Sequence, residues 1–520
     1  MMRRHTLLLI SVLILAFAVR LIQLGERNFW YDEAFSALYS SQSVQGIVEG
    51  TISPVAGGAA DIHPLLYYLS LKAWMSVFGA GAFVVRLWSV LIGTATVLAV
   101  YGQAKELFDP RTAIAAALVT AIAPFHVQYS QEARMYAFMG LFLTLAAWTF
   151  IRAYRSSGRA WGWWIGFGIF AALAMYAQQL SAFFLAALAM IPVFARKPRA
   201  IVGMIVGTIA ALLVYLPWLL ILPSQFSQVA QGYWIEVPNA ARMLLTLRSF
   251  FIGSLDIPPP ASLIGFVAAL VLVIFLFVQV ILRRRRQTVL QQGNTLIVLW
   301  LAFAPMVGLW LFSQVRPLYL DRGLIGSALL LYIGIGWLFA RGGLPRPILV
   351  LLALVGFAAA AIGLTSVYSW STFPNSPFRQ MTEYLSSRVQ PGDVVLHQDK
   401  TSALPAIYYA RTEGFTLEQR YLADEPGSPD DTLLVPTQVA LGLIADQCVQ
   451  AAVQNAPRVW WVIYTFAPDQ YAAAGVDTLQ QDIDWLNANY TASETLTMRD
   501  VQIVLYTDRR TPADTGACPS

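Results

Sequence analysis

The chain has 520 residues, of which 57% are hydrophobic and only 12% charged, with a mean hydropathy of +0.59. A soluble domain carries about a quarter charged residues, so disordered, coiled-coil and nucleic-acid-binding classes are excluded despite a net charge of +5. Two cysteines cannot organise a disulfide framework or a multi-Cys zinc site.

Apolar stretches long enough to cross ~30 Å of hydrocarbon, about 20 helical residues each, recur from the start of the chain to residue 368. About eleven spans are expected, over 6–24, 83–104, 112–128, 135–151, 161–178, 180–195, 200–222, 261–282, 294–312, 323–340 and 347–368. The first also has signal-peptide features, with Arg3 and Arg4 before an apolar run and Ala16-Phe17-Ala18 after it, but the run continues past Arg20 to Leu24. Lys and Arg concentrate in alternate connections, including Lys105, Arg111, Arg152, Arg155, Arg159, Arg196, Lys197, Arg199 and the run 283–286. That side reads as cytoplasmic, with the N-terminus on it. The loops 25–82, 129–134, 223–260 and 313–322 fall on the opposite side, and an odd span count places the C-terminus there too. Of eleven acidic residues before 369, only Glu106 and Asp109 fall on the cytoplasmic side.

The composition changes after the last span. Residues 1–368 carry a net +14 and read as a transmembrane domain, while 369–520 hold 9 basic and 18 acidic residues, a net of −9. Strand-type runs at 393–397, 458–464 and 501–506, with helical patterns at 378–389 and 478–489, predict a small extracytoplasmic α/β domain. Both cysteines, Cys448 and Cys518, lie in it. Outside the cytoplasm they either form one disulfide or leave one thiol buried and one in the tail.

Ionisable residues at membrane depth are costly and mark functional sites. Three segments concentrate them on the external side. The first is Trp30-Tyr31-Asp32-Glu33, where one carboxylate has the chemistry of a general base and its neighbour that of an orienting or cation-binding group. The alternative is an acidic interfacial loop in a Trp/Tyr belt. The second is Asp61-Ile62-His63-Pro64, continuing through Tyr67, Lys72 and Trp74. A helix beginning at Pro64 would put His63 at its N-cap, where N–H groups and a protonated imidazole hold phosphate, or where His63 is only a cap. The third is His126 to Tyr136, with Tyr129, Glu132 and Arg134 between two apolar spans. The planar fork of Arg134 matches phosphate oxygens, unless Glu132 merely neutralises it. Arg316, Asp321 and Arg322 come later in the chain on the same side. No phosphate-binding glycine loop, HExxH or nucleophile elbow is present, and four histidines do not make a multi-His metal site.

Three segments in this order, FWYDEAFSA (29–37), HPLLYYLSLKAW (63–74) and YSQEARMYAF (129–138), resemble the GT-C membrane glycosyltransferases. Within them the chain is similar to glycosyltransferase family 39 and its bacterial relatives, among them protein O-mannosyltransferases, aminoarabinose transferases and galacturonosyltransferases of lipid A. The resemblance covers about 70% of the chain, and residues 377–396 also look like the start of the periplasmic domain of some bacterial members. It implies a polytopic α-helical fold, a polyprenyl-phosphate-linked sugar donor, and inverting transfer to a lipid, glycan or protein acceptor on the external face. It also implies Asp32 as catalytic base with Glu33 as its companion. Donor phosphate falls to His63, Lys72, Arg134 and Arg322, with Tyr67, Tyr129 and Glu132 lining the site. His63 stands where aminoarabinose transferases have Lys, and Phe35 where they have Arg, so that particular sugar is not implied. Trp460-Trp461 is followed by Val, so the oligosaccharyltransferase WWD motif is absent. No cofactor is required by this chemistry, a divalent cation remains open, and nucleic acid is not a partner. The other classes left by the residues are a transporter or flippase of lipid-linked sugars and a non-catalytic envelope scaffold.

Overall fold

The structure, a computed structural model, describes residues 2–55, 58–59, 63–156, 158, 160–221, 223, 235–255, 257–424, 433–510 and 518. Asp61 and Arg159, named above from the sequence, lie outside them. The chain forms two compact units, described separately. One comprises Met1–Leu24, Ala56–Ser70 and Arg86–Ser369, the other Gly25–Val55, Leu71–Val85 and Trp370–Ser520. Composition suggests a single cut after residue 368, whereas the structure also groups parts of the first external loop with the tail.

In chain order the helices are α1 (Met2–Leu21), α2 (Tyr31–Ser40), α3 (Val44–Ile52), α4 (Leu66–Phe78), α5 (Ala82–Leu107), α6 (Pro110–Ile122), α7 (Pro124–Gln131) and α8 (Tyr136–Arg155). Next come α9 (Trp161–Ala177), α10 (Ser181–Phe194), α11 (Pro198–Leu219), α12 (Ala241–Ile252), α13 (Ala261–Arg283), α14 (Val289–Phe312), α15 (Ile325–Arg341) and α16 (Arg346–Ser369). Among the described residues eight helices are long and apolar enough to cross a membrane: α1, α5, α8, α11, α13, α14, α15 with the 3-10 turn before it, and α16. The pair α6 and α7 makes a ninth, bent by 57°, and α9 and α10 are shorter apolar helices. Every span expected from hydropathy therefore corresponds to an apolar helix, but the third is broken.

The break has a local cause. Pro124 carries no N–H, so it cannot bond the carbonyl of Thr120 and the α6 ladder ends there. In hydrocarbon such carbonyls need another partner. Arg20, fully buried at the end of α1, supplies it: Nη1 donates to Ala121 O (2.9 Å) and Ala16 O (2.8 Å), and Nη2 to Thr120 O (3.3 Å). Gln131, at the far end of α7, does the same for α1, its Nε2 donating to Arg20 O (3.0 Å) and Ile22 O (2.8 Å). Elsewhere glycines let backbones approach. A Cβ on Gly168 of α9 would lie 2.4 Å from Gly207 O of α11, and one on Gly336 of α15 2.5 Å from Ala116 N of α6. The two acids on the side read as cytoplasmic are structural. Asp109 caps α6 through Arg111 N (2.8 Å) and Thr112 N (3.2 Å) and pairs with Arg341, while Glu106 pairs with Arg152 at 3.0 Å.

Short strands β1 (Pro54–Val55) and β2 (Gly58–Ala59) lie in the first external loop, and the second unit contains a five-stranded sheet of β3 (Val394–His397), β4 (Gln419–Tyr421), β5 (Val459–Tyr464), β6 (Thr491–Met498) and β7 (Val501–Thr507). The sheet order is β4-β3-β5-β7-β6, with β3 parallel to β4 and β5, and β7 antiparallel to β5 and β6. Helices α17 (Phe378–Ser386), α18 (Lys400–Glu413), α19 (Val435–Leu441), α20 (Val449–Val453), α21 (Ala467–Ala474) and α22 (Thr478–Asn489) complete it. Strands β3 and β5 are buried throughout, and β6 is a mostly exposed edge, which is why its polar sequence gives no strand signal. Trp460 and Trp461 belong to this core, with Trp460 Nε1 donating to Asp393 Oδ2 at 3.0 Å. Cys448 and Cys518 form a disulfide with Cα atoms 5.6 Å apart. The first external loop joins the unit through Phe29, stacked on Tyr408 at 4.5 Å with its N–H donating to Tyr409 Oη (2.8 Å). Asn28 Oδ1 accepts from Arg379 N (3.1 Å).

These partners make two outcomes testable. Gln131→Leu orphans the carbonyls at the end of α1 at a cost of about 1–3 kcal/mol, expected as a lowered thermal midpoint and faster hydrogen exchange near residues 20–24; unchanged exchange there contradicts the capping. His397 is fully buried, its Nε2–H donating to Gln419 Oε1 (3.1 Å) and its Nδ1 accepting from Ser402 Oγ (3.2 Å). Burial pushes its pKa down to about 4, against the raising effect of Gln419. The imidazole is thus neutral when folded and gains a proton on unfolding below its ordinary value of about 6.5. Stability of the second unit is therefore full above about pH 6.5 and falls by about 3 kcal/mol as the pH drops to about 4. His397→Gln should flatten that window in pH-dependent unfolding.

Candidate active site

The membrane unit holds an unusual helix. All eight residues of α7 are buried, among them His126, Gln128, Ser130 and Gln131. Polar groups on a buried helix are costly unless paired, and most of these are, although His126 Nε2 has no hydrogen-bond partner. His126 Nδ1 meets Arg20 Nη2 at 2.6 Å, and Ser130 Oγ donates to His126 O at 2.5 Å. Gln128 Oε1 accepts from Ser254 N (2.9 Å) while its Nε2 reaches Glu132 Oε1 (3.4 Å). Tyr129 Oη donates to Ser254 Oγ at 3.0 Å. Ser254 can approach because Gly253, the C-cap of α12, sits at φ +89°, a backbone open to glycine, where a Cβ would lie 3.1 Å from Gln128 Oε1.

Helix α7 ends at Gln131, and the four residues from Glu132 to Met135 turn the chain into α8. The polar cluster read as a loop between spans is thus mostly helix, with Glu132 and Arg134 buried in the turn after it. Arg134 Nη2 lies 3.3 Å from His63 Nε2. A guanidinium only donates, so His63 Nε2 is the acceptor of this contact. Nor is His63 an N-cap: α4 begins at Leu66, two residues beyond Pro64, so His63 stands before the helix as a half-buried ligand of Arg134. Tyr67 is buried, its ring edge-on to Tyr68 (6.1 Å) and Phe138 (5.6 Å). The Arg322 guanidinium lies 5.3 Å from the centroid of Tyr136, a cation–π arrangement. The membrane unit therefore brings His63 together with Arg134, Glu132 with Gln128, and Tyr129 with Ser254.

Asp32, Glu33 and Lys72 belong to the second unit. Trp30 is the N-cap of α2, so Asp32 and Glu33 occupy its first turn, where the helix N-terminus favours negative charge. Glu33 is fully buried; Asp32 is half-buried, and its carbonyl accepts from Ser36 Oγ at 2.8 Å. A buried and a wetter carboxylate side by side fit an orienting group and a base. Lys72 is used otherwise, its Nζ donating to Gln42 O at 2.5 Å just past the end of α2. Among the described residues no group of three or more His, Cys, Asp or Glu converges to hold a metal ion.

Sequence reading does not single out Arg20, Gln128 or Ser254. Arg20 carried the one available signal, a cation inside an apolar span. Gln128 and Ser254 carried none, because their roles depend on a loop 126 residues away in sequence.

Comparison with known proteins agrees with this architecture. Residues 62–221 match the family model described as dolichyl-phosphate-mannose-protein mannosyltransferase. Undecaprenyl phosphate-alpha-4-amino-4-deoxy-L-arabinose arabinosyl transferase of Pseudomonas aeruginosa is 30% identical over 230 residues, 42% of this chain and 41% of that protein. The chain thus matches about two fifths of the length of its curated relatives. The crystal structure of ArnT from Cupriavidus metallidurans bound to undecaprenyl phosphate superposes with a TM-score of 0.62 at 13% identity, covering 98% of this chain and 99% of that one. The archaeal oligosaccharyltransferase AglB from Archaeoglobus fulgidus, in complex with an inhibitory peptide and a dolichol-phosphate, gives 0.55 at 12% identity, covering 98% and 75%. By its apolar helices and its fold, then, the chain is a multi-pass membrane protein that shares the architecture of these transferase structures.

Proposed function

We propose that the protein is an inverting glycosyltransferase that takes a sugar from a polyprenyl-phosphate donor and passes it to an acceptor hydroxyl on the external face of the membrane. The observation that carries this reading is the buried Arg134 fork beside His63, at the end of a fully buried polar helix. Such a fork matches the oxygens of a lipid phosphate, and water exclusion strengthens each charge-assisted bond. The similarity to transferases whose names specify undecaprenyl or dolichyl phosphate supports the donor class.

In this mechanism Asp32 takes the proton of the acceptor hydroxyl as its oxygen attacks the anomeric carbon. The bond between that carbon and the phosphate oxygen breaks on the opposite face, which inverts the configuration. The electron pair leaves on the lipid phosphate, and Arg134 stabilises the added charge while His63 holds the guanidinium in place and Arg322 adds positive charge. The donor phosphate is already a good leaving group, so one base and a cationic clamp suffice without a covalent intermediate. Glu33, the buried neighbour of Asp32 in the first turn of α2, orients it. Lys72 has a structural part in α2 and is not among the phosphate ligands. The N-terminus is cytoplasmic and the tail extracytoplasmic; the segregation of Lys and Arg supports this, as does the Cys448–Cys518 disulfide, which suits an oxidising compartment.

Transfer from a short-chain polyprenyl-phosphate sugar by the purified protein tests the proposal. Asp32→Asn should lower kcat by about 10²–10⁴-fold with folding intact. Arg134→Gln should cost about 10–100-fold in donor kcat/KM, and Arg134→Lys less, since charge survives without the fork. Lys72→Gln should leave donor KM within about twofold. Full activity in Asp32→Asn removes it as base, and lipid-sugar movement across vesicles without transfer makes the protein a transporter.

A further inference from the structure

Helices α9 and α10 have 17 and 14 residues. At 1.5 Å per residue they rise roughly 26 and 21 Å, short of the ~30 Å hydrocarbon core, whereas α14, with 24 residues, rises roughly 36 Å. A groove of about 1860 Å³ runs along α14. Its lining begins at Val289, the first residue of α14, and runs to Leu311, one residue from its end, against walls that include Trp164, Phe194, Trp300 and Phe303. Phe194 meets Trp300 edge-on at 5.2 Å, and Trp300 Nε1 donates to Ala187 O at 2.8 Å, so α10 and α14 are fixed against each other.

One end of the groove is strongly cationic. Arg155, Arg196, Lys197 and Arg199 line it, and among the described residues no Asp or Glu does. Arg155 is committed to protein partners, Asn294 Oδ1 at 2.6 Å among them. The other three are exposed, Arg196 and Lys197 in the turn between α10 and α11 and Arg199 in the first turn of α11. Arg196 adopts a left-handed backbone at φ +50°, Lys197 is the N-cap of α11 with its ammonium 4.1 Å from the Tyr154 ring centroid, and Pro198 opens the helix. Neither Arg196 nor Arg199 has an ion-pair partner among the described residues.

We infer that this groove is a binding site for an anionic diacyl phospholipid. Its phosphate sits on Arg196, Lys197 and Arg199 at the N-terminus of α11, where the first-turn N–H groups add positive potential. Its acyl chains lie along α14, covering apolar surface that the short α9 and α10 leave open. The charge decides the class: three cations without an acid at the mouth select a net-negative headgroup over a zwitterionic one, whose own amine would face the guanidiniums. The occupant is a phosphodiester lipid of the bilayer and not the polyprenyl phosphate donor, which the proposed function assigns to Arg134 and His63. The site stands independently of that assignment.

Native mass spectrometry of the full-length protein released from nanodiscs of equal phosphatidylglycerol and phosphatidylcholine reads it directly. Retained phosphatidylglycerol should exceed phosphatidylcholine by about tenfold, and the triple variant R196Q/K197Q/R199Q should bring that ratio to about one. A second variant guards against misfolding. A Cβ on Gly293, a groove-lining residue of α14, meets nothing within 4 Å, so Gly293→Leu should fold normally, fill the groove and lower retained lipid with the cations intact. Equal retention of the two lipids by the parent protein, or an unchanged ratio in the triple variant, overturns the inference. So does displacement of phosphatidylglycerol by short-chain polyprenyl phosphate, which would make the groove a donor site.

Discussion

The membrane unit depends on how one backbone break is sealed. Pro124 ends α6 within the apolar body of the protein and frees the carbonyls of Thr120 and Ala121, which hydrocarbon cannot solvate. Arg20 occupies that gap through Nη1 and Nη2, and Nη2 also meets His126 Nδ1 at 2.6 Å. A buried cation is costly by itself, but here it faces the negative end of a helix and several carbonyl oxygens. The exchange is reciprocal, since Gln131 closes the end of α1. The 57° bend thereby becomes a fixed angle, and α7 can bury a polar face that no straight span would carry.

The turn after α7 inherits that placement. It carries Glu132 and Arg134, and both are buried because the helix before them is. Gln128 and Tyr129 bind Ser254 beyond α12, so the loop at Gly253 is tied to the same helix. Arg134 then meets His63 from a separate stretch of chain. Charge is distributed unevenly across the protein for this reason. Glu106 and Asp109 are paired with arginines at helix ends, whereas the acids of the proposed chemistry stand beside aromatics in α2 and at the α7–α8 turn.

Much of this was legible in the sequence because its signals are local. Hydropathy marks the apolar helices, and the drop in hydropathy after Tyr368 marks the α/β domain with its buried strands β3 and β5. Tyr129, Glu132 and Arg134 stand out as polar residues between spans. The unreadable parts are non-local. His63 looks like an N-cap until the helix is seen to start at Leu66, and the contact of Lys72 with Gln42 O joins positions 30 residues apart that no local pattern links. The grouping of residues 25–55 with the tail rests on pairs such as Phe29 with Tyr408, which no periodicity announces. Strand β6 escaped because an exposed edge needs no apolar face.

The central claim is that the α7–α8 turn forms a lipid-phosphate site, and locating a bound phosphate tests it most directly. A cryo-EM reconstruction of the full-length protein with a non-transferable polyprenyl-phosphate sugar should place the phosphate within hydrogen-bond distance of the Arg134 guanidinium, beside His63. Occupancy should be lost in Arg134→Gln. A phosphate bound away from Arg134, with density unchanged in that variant, would contradict the account.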